Sequence, residues 1–388
     1  MKSAPVVVHV ATTPISLVLL LGPQLRAFRD SGYRVVTASA PGPEVAQLHK
    51  WGLEHHALRH ATRSSAPLQD LLALRELHRL FRTLRPDIVH THNPKPGVYG
   101  RLAAAAARVP AVVNTVHGLY AQPTDPWQRR AVVYSLERIA AACSDAELVQ
   151  NPEDLETLTR LRVPRHRLTM LGNGVDLERF RPDAVSPDEV AQLRSSLGYG
   201  PDDVVVCAVG RLVWEKGYRE LFTAASLLRA QGSAARFVVV GPPDGSKDDR
   251  VDDESVRRAE CDGVRFLGYR DDMPLLYAAS DVFVLASHRE GFPRAAMEAA
   301  AMGLPVVATD VRGCRQVVDD GTTGLLVPVR DAPALAAAVS TLAASPDVRS
   351  RMSAAALAKA RREFDQTRVI DTTLSVYSRL RGVRAGAA

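Results

Sequence analysis

The chain has 388 residues, enough for two domains that each bury a core, and its 46% hydrophobic and 24% charged residues are typical of a soluble globular protein. The longest early apolar run, Ile15 to Leu21, is much shorter than a bilayer span, so no membrane-crossing segment is predicted. The net charge of +6 is compatible with anionic partners, but aromatic residues are too sparse in the basic first half to favour nucleic acid.

The first half of the chain alternates short apolar segments with amphipathic ones, which predicts a parallel sheet with helices on both faces. The predicted strands span residues 6–10, 33–38, 87–90, 111–116 and 145–149. One predicted helix ends near residue 31, and three others span residues 68–84, 97–108 and 127–142. A turn-rich segment, Asn173 to Asp176, marks a domain boundary.

The second half begins the same alternation again. Its predicted strands span residues 204–209, 237–240, 264–267, 281–285, 305–309 and 324–327. Its predicted helices span residues 218–230, 252–261, 273–279, 293–302, 332–343, 348–363 and 368–380. We therefore predict an α/β fold of two Rossmann-like doubly wound domains facing across a cleft, over residues 1–180 and 181–365, with the last helix able to serve either domain.

Two carboxylates, Glu290 and Glu298, flank the start of the helix that follows the apolar strand at residues 281–285. Pro293 suits the first helical position, so the N–H groups from Arg294 onward are expected to face a pyrophosphate. Each carboxylate can accept two hydrogen bonds from vicinal hydroxyls of a sugar or a ribose. The alternative is that both acids only interact favourably with the helix dipole.

A second loop after a strand, Gly210 to Gly217, carries two cations five residues apart, Arg211 and Lys216. The guanidinium offers a planar fork to phosphate oxygens, and the ammonium offers a mobile point charge. This pair suits a leaving diphosphate whose negative charge grows as a glycosidic bond breaks. A surface ion pair is the alternative for either residue alone.

Histidines end two strands of the first half. His117 lies in the segment Asn114 to Leu119, where Gly118 allows a ligand to approach the backbone, and it is the predicted catalytic histidine. His90 and His92 end the preceding strand. Metal binding by these two is a competing idea, but two histidines without a carboxylate ligand make a weak site. A structural role is the alternative for each histidine.

Several catalytic motifs are missing from the sequence. It contains no G-x-G-x-x-G, no G-x-x-x-x-G-K-[ST] and no G-x-S-x-G, which removes support for a dehydrogenase, a P-loop enzyme or a serine hydrolase. It also contains no Asp-x-Asp, the arrangement expected where a divalent metal holds a diphosphate. Cationic side chains and helix N-termini are then expected to bind the diphosphate, without a metal or another cofactor.

Four segments together resemble family 4 of the retaining glycosyltransferases. They are the Arg211/Lys216 loop, Glu290-Gly-Phe-Pro-Arg-Ala-Ala-Met-Glu298, Gly303-Leu-Pro-Val-Val-Ala-Thr-Asp310 and Gly321-Thr-Thr-Gly-Leu-Leu-Val-Pro328. The resemblance covers nearly the whole chain and implies the GT-B fold, with residues 366–388 forming a helix that crosses back to the first domain.

The resemblance also implies residue roles. Glu290 would contact the 3-hydroxyl region of the donor sugar, Glu298 the ribose, and Arg211 with Lys216 the diphosphate, while His117 would lie beside the transferred sugar. The other donor-binding positions are Gly210, Tyr269, Gly291, Phe292, Pro293 and Arg294. Acceptor-side positions are Thr12, Asn93 and Lys95, although the loop Ala11 to Leu17 lacks the Gly-Gly pair common in the family.

Within that family, the segments Thr91 to Gly97, Thr115 to Gly118 and Asp310 to Arg315 are similar to bacterial enzymes that extend lipid-linked glycans. The similarity implies a UDP-hexose or UDP-N-acetylhexosamine donor and a polyprenyl-diphosphate saccharide acceptor. Three alternatives are transfer to a soluble small-molecule acceptor, as in natural-product or thiol biosynthesis, a UDP-sugar epimerase, and a scaffold protein without activity.

A basic surface is predicted on the first domain. Residues 59–108 carry nine basic side chains against three acidic ones, and Arg75, Arg79 and Arg82 share one side of the predicted helix 68–84. We expect a cytoplasmic protein. Its basic surface can attract anionic lipid, which would allow peripheral contact with the inner face of the membrane. A solvated helix face is the alternative.

Overall fold

The computed structural model describes residues 4–62, 64, 66–92, 94–121, 125–243 and 249–385. The chain divides into two compact units, unit 1 with residues 1–172 and 367–388 and unit 2 with residues 173–366. The segment 173–180, assigned to the first domain from the sequence, belongs to unit 2, where Val175 and Phe180 are buried in the core.

Unit 1 is built on a seven-stranded sheet in which all neighbouring strands are parallel, in the order β3-β2-β1-β4-β5-β6-β7. The strands are β1 (Val6–Val10), β2 (Arg34–Ser39), β3 (Glu54–Ala57), β4 (Ile88–His92), β5 (Ala111–Val116), β6 (Ala146–Val149) and β7 (Leu168–Met170). The helices are α1 (Pro14–Leu19), α2 (Gly22–Asp30), α3 (Val45–Lys50), α4 (Pro67–Leu84), α5 (Pro94–Ala106), α6 (Trp127–Ala142) and α7 (Pro152–Arg160).

Unit 2 repeats the plan with six parallel strands in the order β10-β9-β8-β11-β12-β13. The strands are β8 (Val204–Val209), β9 (Ala235–Val240), β10 (Arg265–Phe266), β11 (Val282–Leu285), β12 (Val306–Thr309) and β13 (Gly324–Val327). The helices are α8 (Pro187–Ser196), α9 (Tyr218–Ala230), α10 (Asp253–Cys261), α11 (Met273–Ala278), α12 (Arg294–Ala301), α13 (Cys314–Val317), α14 (Ala332–Ala344) and α15 (Pro346–Glu363). The last helix, α16 (Gln366–Ala385), belongs to unit 1 from Thr367 onward.

The predicted α/β class with two Rossmann-like parallel sheets is confirmed. The prediction of a single helix ending near residue 31 was wrong: this segment forms two helices, and the second begins at Gly22 with a proline in its first turn. Several short elements were not predicted, namely β3, β7, α3, α7, α8 and α13. The strands β3 and β7 lie at the sheet edges, where the apolar pattern of a buried strand is not required.

Each sheet has one point where the strand order reverses direction. In unit 1 this point lies between β1 and β4, and in unit 2 it lies between β8 and β11. The loops that leave the carboxyl ends of these two strands diverge to opposite faces of the sheet, which opens a crevice for ligands. The loop after β8 carries the two predicted cations, and the loop after β11 carries Glu290 and leads into α12, which carries Glu298.

A buried ionic cluster lies beneath the carboxyl ends of β4 and β5. Arg101 of α5 is fully buried and donates to Glu147 at 2.6 Å and to Glu137 at 2.7 Å. The amide of Asn114 donates to the second oxygen of Glu147 at 2.8 Å, and Thr91 donates to Asn114 Oδ1 at 2.8 Å. The cluster therefore ties α5 and α6 to the strands that end at the histidines.

We predict that Arg101→Ala lowers the free energy of unfolding by about 3 to 5 kcal/mol, because it leaves the buried Glu147 carboxylate without its charge partner. Chemical denaturation measures the loss. The matched control is Arg160→Ala, whose exposed pair with Glu156 contributes only about 0.5 kcal/mol. Equal losses in the two variants would contradict a stabilising role of the buried cluster.

Candidate active site

The loop Gly210–Gly217 is held against the end of β11 by a close backbone contact. Gly217 has φ +75° and a Cβ at this position would lie 1.9 Å from the carbonyl oxygen of Ala286. Only glycine fits there without displacing the strand end. The backbone N–H of His288 also donates to the carbonyl of Glu215 at 2.9 Å. The two loops at the switch point of unit 2 are therefore joined along their backbones.

The joined loops bring Lys216 and Glu290 together. Lys216 Nζ lies 2.6 Å from Glu290 Oε1, and both side chains are largely buried. The backbone at Glu290 is also fixed from the far side, since a Cβ on Gly313 would lie 2.7 Å from the carbonyl oxygens of Glu290 and Gly291. The predicted sugar-binding carboxylate and one predicted phosphate-binding cation thus form one ion pair. Arg211, half-buried, lies in the same loop.

Glu298 of α12 has a separate set of partners, one on α12 and one on α11. Its Oε1 accepts from Arg294 Nε at 3.0 Å, and its Oε2 accepts from the hydroxyl of Tyr277 at 3.2 Å. Burial raises the pKa of the Glu298 carboxyl, and the charge of Arg294 opposes that rise. Glu290 pairs with Lys216, whereas Glu298 bonds Arg294 and Tyr277. The two carboxylates therefore have different partners, although only residues 291–297 separate them in sequence.

The predicted position of Pro293 was wrong by one residue. Pro293 has extended backbone angles and is the N-cap, so α12 begins at Arg294. The first hydrogen bond of the helix joins the Met297 N–H to the Pro293 carbonyl at 3.2 Å. The N–H groups of Ala295 and Ala296 therefore lie in the first turn, before the first hydrogen bond within the helix. N–H groups in this position can bind an anion at a helix N-terminus.

The remaining predicted donor-binding residues lie on neighbouring loops of unit 2. Phe292 packs edge-to-face on Phe364 with ring centroids 6.1 Å apart. Gly210 directly follows β8, and its N–H donates to Val240 at the end of β9 at 2.9 Å. Tyr269 follows β10 and its side chain is exposed. All of them therefore lie at or beside the carboxyl edge of the sheet.

In unit 1, His117 is part of a group of four histidines at the carboxyl ends of β1, β4 and β5. Its Nε2 lies 3.1 Å from His92 Nδ1, and His92 Nε2 lies 3.0 Å from His9 Nδ1. His90 Nε2 lies 2.7 Å from the hydroxyl of Thr115. His117 is half-buried and the other three are buried. The structure thus brings His117 together with both histidines of the preceding strand.

Burial keeps these four imidazoles neutral. It lowers the pKa of His9 to about 3 and of His117 to about 4, where a side-chain hydrogen bond with Gln150 acts in the opposite direction. It also places the pKa values of His90 and His92 well below the ordinary range, and the neighbouring histidines lower them further. A neutral imidazole has one N–H donor and one acceptor nitrogen.

The predicted acceptor-side residues are not grouped in the same way. Thr12 follows β1 and is buried, and its carbonyl accepts from Ala40 N–H at 3.1 Å. Lys95, in the first turn of α5, pairs with Asp70 at 2.6 Å and donates to the Ser64 carbonyl at 2.7 Å. The charge of Lys95 is therefore already compensated. Asn93 lies outside the described residues.

Several residues of both sites were not predicted from the sequence. In unit 2 these are Tyr277, which bonds Glu298, and Gly217 and Gly313, which fix the loops. In unit 1 they are His9 and Tyr377, which contact the histidines. His9 offered a signal, since a histidine within the apolar run of β1 is unusual. Tyr377 lies 260 residues after His117, and nothing in the pattern of α16 indicates that contact.

Comparison with known proteins places both units in described families. The family described as "Glycosyltransferase Family 4" matches residues 24–179, and "Glycosyl transferases group 1" matches residues 203–345. The first match falls almost entirely in unit 1 and the second in unit 2.

Two curated relatives are similar over most of their length. One is the UDP-Gal:alpha-D-GlcNAc-diphosphoundecaprenol alpha-1,3-galactosyltransferase of Escherichia coli, 33% identical over 276 residues, which covers 69% of each chain. The other is a D-inositol 3-phosphate glycosyltransferase of Saccharomonospora viridis, 34% identical over 319 residues, which covers 78% of this chain and 72% of that one.

A solved structure has the same fold. The Anabaena protein HepE, crystallised with UDP and glucose, superposes with a TM-score of 0.79 at 20% identity, over 96% of this chain and 99% of that one. Within the part of the chain that the structure describes, no helix is long and apolar enough to cross a membrane.

The buried histidines predict loss of stability in mild acid. His9 takes up a proton readily only after unfolding, so the unfolded chain binds more protons between about pH 6.5 and pH 3, and the free energy of unfolding falls as pH decreases through that window. The loss from His9 alone is about 2 kcal/mol between pH 7 and pH 5. Denaturation of His9→Gln at both pH values should show a loss smaller by that amount. The exposed His49→Gln is the control, and an unchanged pH dependence in His9→Gln would contradict the prediction.

Proposed function

We propose, since the chain belongs to glycosyltransferase family 4 and has its GT-B fold, that it transfers a sugar with retention of configuration from a UDP-hexose or a UDP-N-acetylhexosamine to a hydroxyl of a lipid-linked glycan. The observation that carries this proposal is the Lys216–Glu290 ion pair at the switch point of unit 2. It joins, within 2.6 Å, a cation suited to phosphate and a carboxylate suited to sugar hydroxyls.

The ion pair supports a stepwise exchange of partners when the donor binds. Before binding, each charge compensates the other, so neither is left unpaired in a largely buried position. A bound nucleotide sugar offers both charges new partners, because the ammonium can turn to a phosphate oxygen while the carboxylate accepts from vicinal hydroxyls of the sugar. Arg211, from the same loop, adds a second cation for the diphosphate.

Glu298 has the environment that ribose recognition needs. Arg294 and Tyr277 hold the carboxylate in one orientation through 3.0 and 3.2 Å hydrogen bonds, one to each oxygen. Each carboxylate oxygen can accept a further hydrogen bond, so the two ribose hydroxyls can bind without displacing either partner. Glu298 then contributes donor affinity, while Glu290 contributes to turnover.

In the proposed reaction, the bond between the anomeric carbon and the phosphate oxygen breaks, and the acceptor oxygen bonds to the same face of that carbon. The acceptor proton passes to the departing phosphate oxygen, and the nucleoside diphosphate is released. Arg211 and Lys216 stabilise the growing negative charge, so no enzyme nucleophile and no divalent metal are required. His117 contacts the transferred sugar and orients it.

A lipid-linked acceptor is supported by two surfaces of unit 1. Helix α4 buries Ala73, Leu77 and Phe81 and exposes the three arginines at positions 75, 79 and 82. Helix α6 exposes apolar side chains instead: Trp127 is 71% exposed and Ile139 is 56% exposed. Val132 and Leu136 of α6 are also exposed. Cationic and apolar surfaces together favour binding to an anionic bilayer.

The soluble acceptor remains the second candidate, because the Saccharomonospora relative is named for an inositol phosphate acceptor. A panel of UDP-, GDP- and dTDP-sugars, with a chelator present, distinguishes the candidates when membranes or a soluble extract supply the acceptor. We expect transfer from a UDP-sugar that depends on membranes. Transfer only with the soluble extract would replace the lipid-linked proposal, and isomerisation of the donor without an acceptor would replace the transferase proposal.

We predict that Lys216→Ala reduces kcat/KM by the equivalent of about 2 to 4 kcal/mol, the scale for losing one group that stabilises a developing anion. Steady-state release of the nucleoside diphosphate measures the loss. Arg258→Ala is the matched control in the same unit, because Arg258 pairs with Glu254 on the exposed face of α10. If Lys216→Ala retained full activity, the diphosphate role of this loop would be refuted.

We predict that Val132→Asp with Ile139→Asp weakens flotation of the protein with phosphatidylglycerol vesicles, since a charged residue opposes insertion of the α6 surface into the interface. Neutralising the three α4 arginines should weaken flotation mainly at low salt, where charge attraction is least screened. Leu227→Asp, on the half-exposed surface of α9 in unit 2, is the control. Flotation that none of these variants changes would count against membrane contact through unit 1.

A further inference from the structure

Five hydrogen bonds connect Thr115 to His117 through four buried side chains of unit 1. His90 Nδ1 lies 2.5 Å from the hydroxyl of Tyr377, and that hydroxyl lies 3.4 Å from His9 Nε2. The other three links, Thr115 to His90, His9 to His92 and His92 to His117, span 2.7, 3.0 and 3.1 Å. We call this series the histidine chain.

Every histidine inside the chain uses both of its ring nitrogens. Because burial keeps each imidazole neutral, each ring donates at one nitrogen and accepts at the other. The tyrosyl hydroxyl has one proton and can donate in only one direction. Once the direction of one link is fixed, the directions of all the others follow. The chain therefore has two arrangements, one with a proton on every Nε2 and one with a proton on every Nδ1.

The two distances at Tyr377 favour the arrangement with every Nε2 protonated. A hydroxyl donor forms shorter hydrogen bonds than an N–H donor, and the Tyr377 hydroxyl is nearer to His90 at 2.5 Å than to His9 at 3.4 Å. Tyr377 then donates to His90 Nδ1 and accepts from His9 Nε2. It follows that His117 donates from Nε2 to His92 and presents Nδ1 as an acceptor.

We propose that Tyr377 is a positioning residue that fixes the tautomer and the orientation of His117 through His9 and His92. This inference rests on the proposed function, in which His117 contacts the transferred sugar. The consequence for that function is specific: His117 Nδ1 accepts a hydrogen bond from a sugar hydroxyl and does not donate one to it. A residue on the last helix thus controls the ring without touching the sugar.

A metal ion at His9, His90 and His92 would be a different explanation, since one nitrogen of each lies within 4.8 Å of the others. The ring planes argue against it. His90 and His92 are stacked with centroids 4.3 Å apart, and His9 and His92 are stacked with an interplanar angle of 13°. The lone pairs of stacked rings lie in separate, nearly parallel planes, whereas a metal ion must lie close to the plane of every imidazole that binds it.

The test uses the full chain labelled with ¹⁵N-histidine, and the variant is Tyr377→Phe. This substitution keeps the buried ring and removes only the hydroxyl that joins His90 to His9. The matched control is Tyr33→Phe, because Tyr33 packs edge-on against Tyr377 with centroids 5.7 Å apart and, among the described residues, its hydroxyl makes no hydrogen bond to the histidine chain. Long-range proton–nitrogen spectra identify the tautomer of each ring, and steady-state kinetics follow in the same samples.

We expect the Nε2–H form at all four rings in the wild-type chain and in Tyr33→Phe. In Tyr377→Phe, the rings of His9, His92 and His117 should populate both tautomers, and kcat should fall roughly three- to tenfold with an unchanged KM for the donor, the loss expected for one hydrogen bond. Mixed tautomers in the wild-type chain, the Nδ1–H form throughout, or stoichiometric zinc or nickel on the purified protein would overturn the inference.

The two proposals fail in different ways. If Tyr377→Phe changes the His117 tautomer but transfer is unaffected by either Tyr377→Phe or His117→Ala, the histidine chain stands and the role of His117 in transfer is refuted. If His117→Ala abolishes transfer while Tyr377→Phe leaves the His117 spectrum and kcat unchanged, the role of His117 stands and the positioning by Tyr377 is refuted.

Discussion

The contact between Gly217 and the carbonyl of Ala286 is the constraint on which the proposed donor site depends. Parallel strands deliver their loops to the same edge of a sheet, but only the reversal of strand order between β8 and β11 separates those loops enough to admit a ligand. The glycine contact then sets how far apart they lie. Lys216, the residue before Gly217, is brought to Glu290 as a result, and Gly313 supports the same backbone from the other side.

Charge is arranged differently in the two units. Unit 2 keeps opposite charges in a largely buried pair that a ligand can separate, which suits binding of a charged donor. Unit 1 buries the Arg101–Glu147 pair fully and keeps its four neighbouring histidines neutral. Because a buried ionic cluster costs much to rearrange, it gives β4 and β5 fixed ends. The neutral rings can then be ordered by hydrogen bonds alone.

Sequence patterns predicted the parts of this structure that repeat along the chain. Apolar strands alternating with amphipathic helices predict two parallel sheets, and residues that follow a strand, such as Arg211 and His117, are correctly placed at its carboxyl edge. The pattern cannot predict contacts between residues far apart in sequence. Tyr277 with Glu298 and Tyr377 with His90 depend on the packing of whole helices, and the N-cap position of Pro293 depends on backbone angles that the sequence alone does not specify.

A crystal structure of the chain with a bound UDP-sugar would show whether the loops after β8 and β11 form one donor site. We expect the ribose hydroxyls within hydrogen-bonding distance of the Glu298 carboxylate. We also expect the diphosphate oxygens on Arg211 and Lys216, with Glu290 released from Lys216 to the sugar. A nucleotide bound away from these loops, or a diphosphate held by a metal ion with the Lys216–Glu290 pair intact, would contradict it.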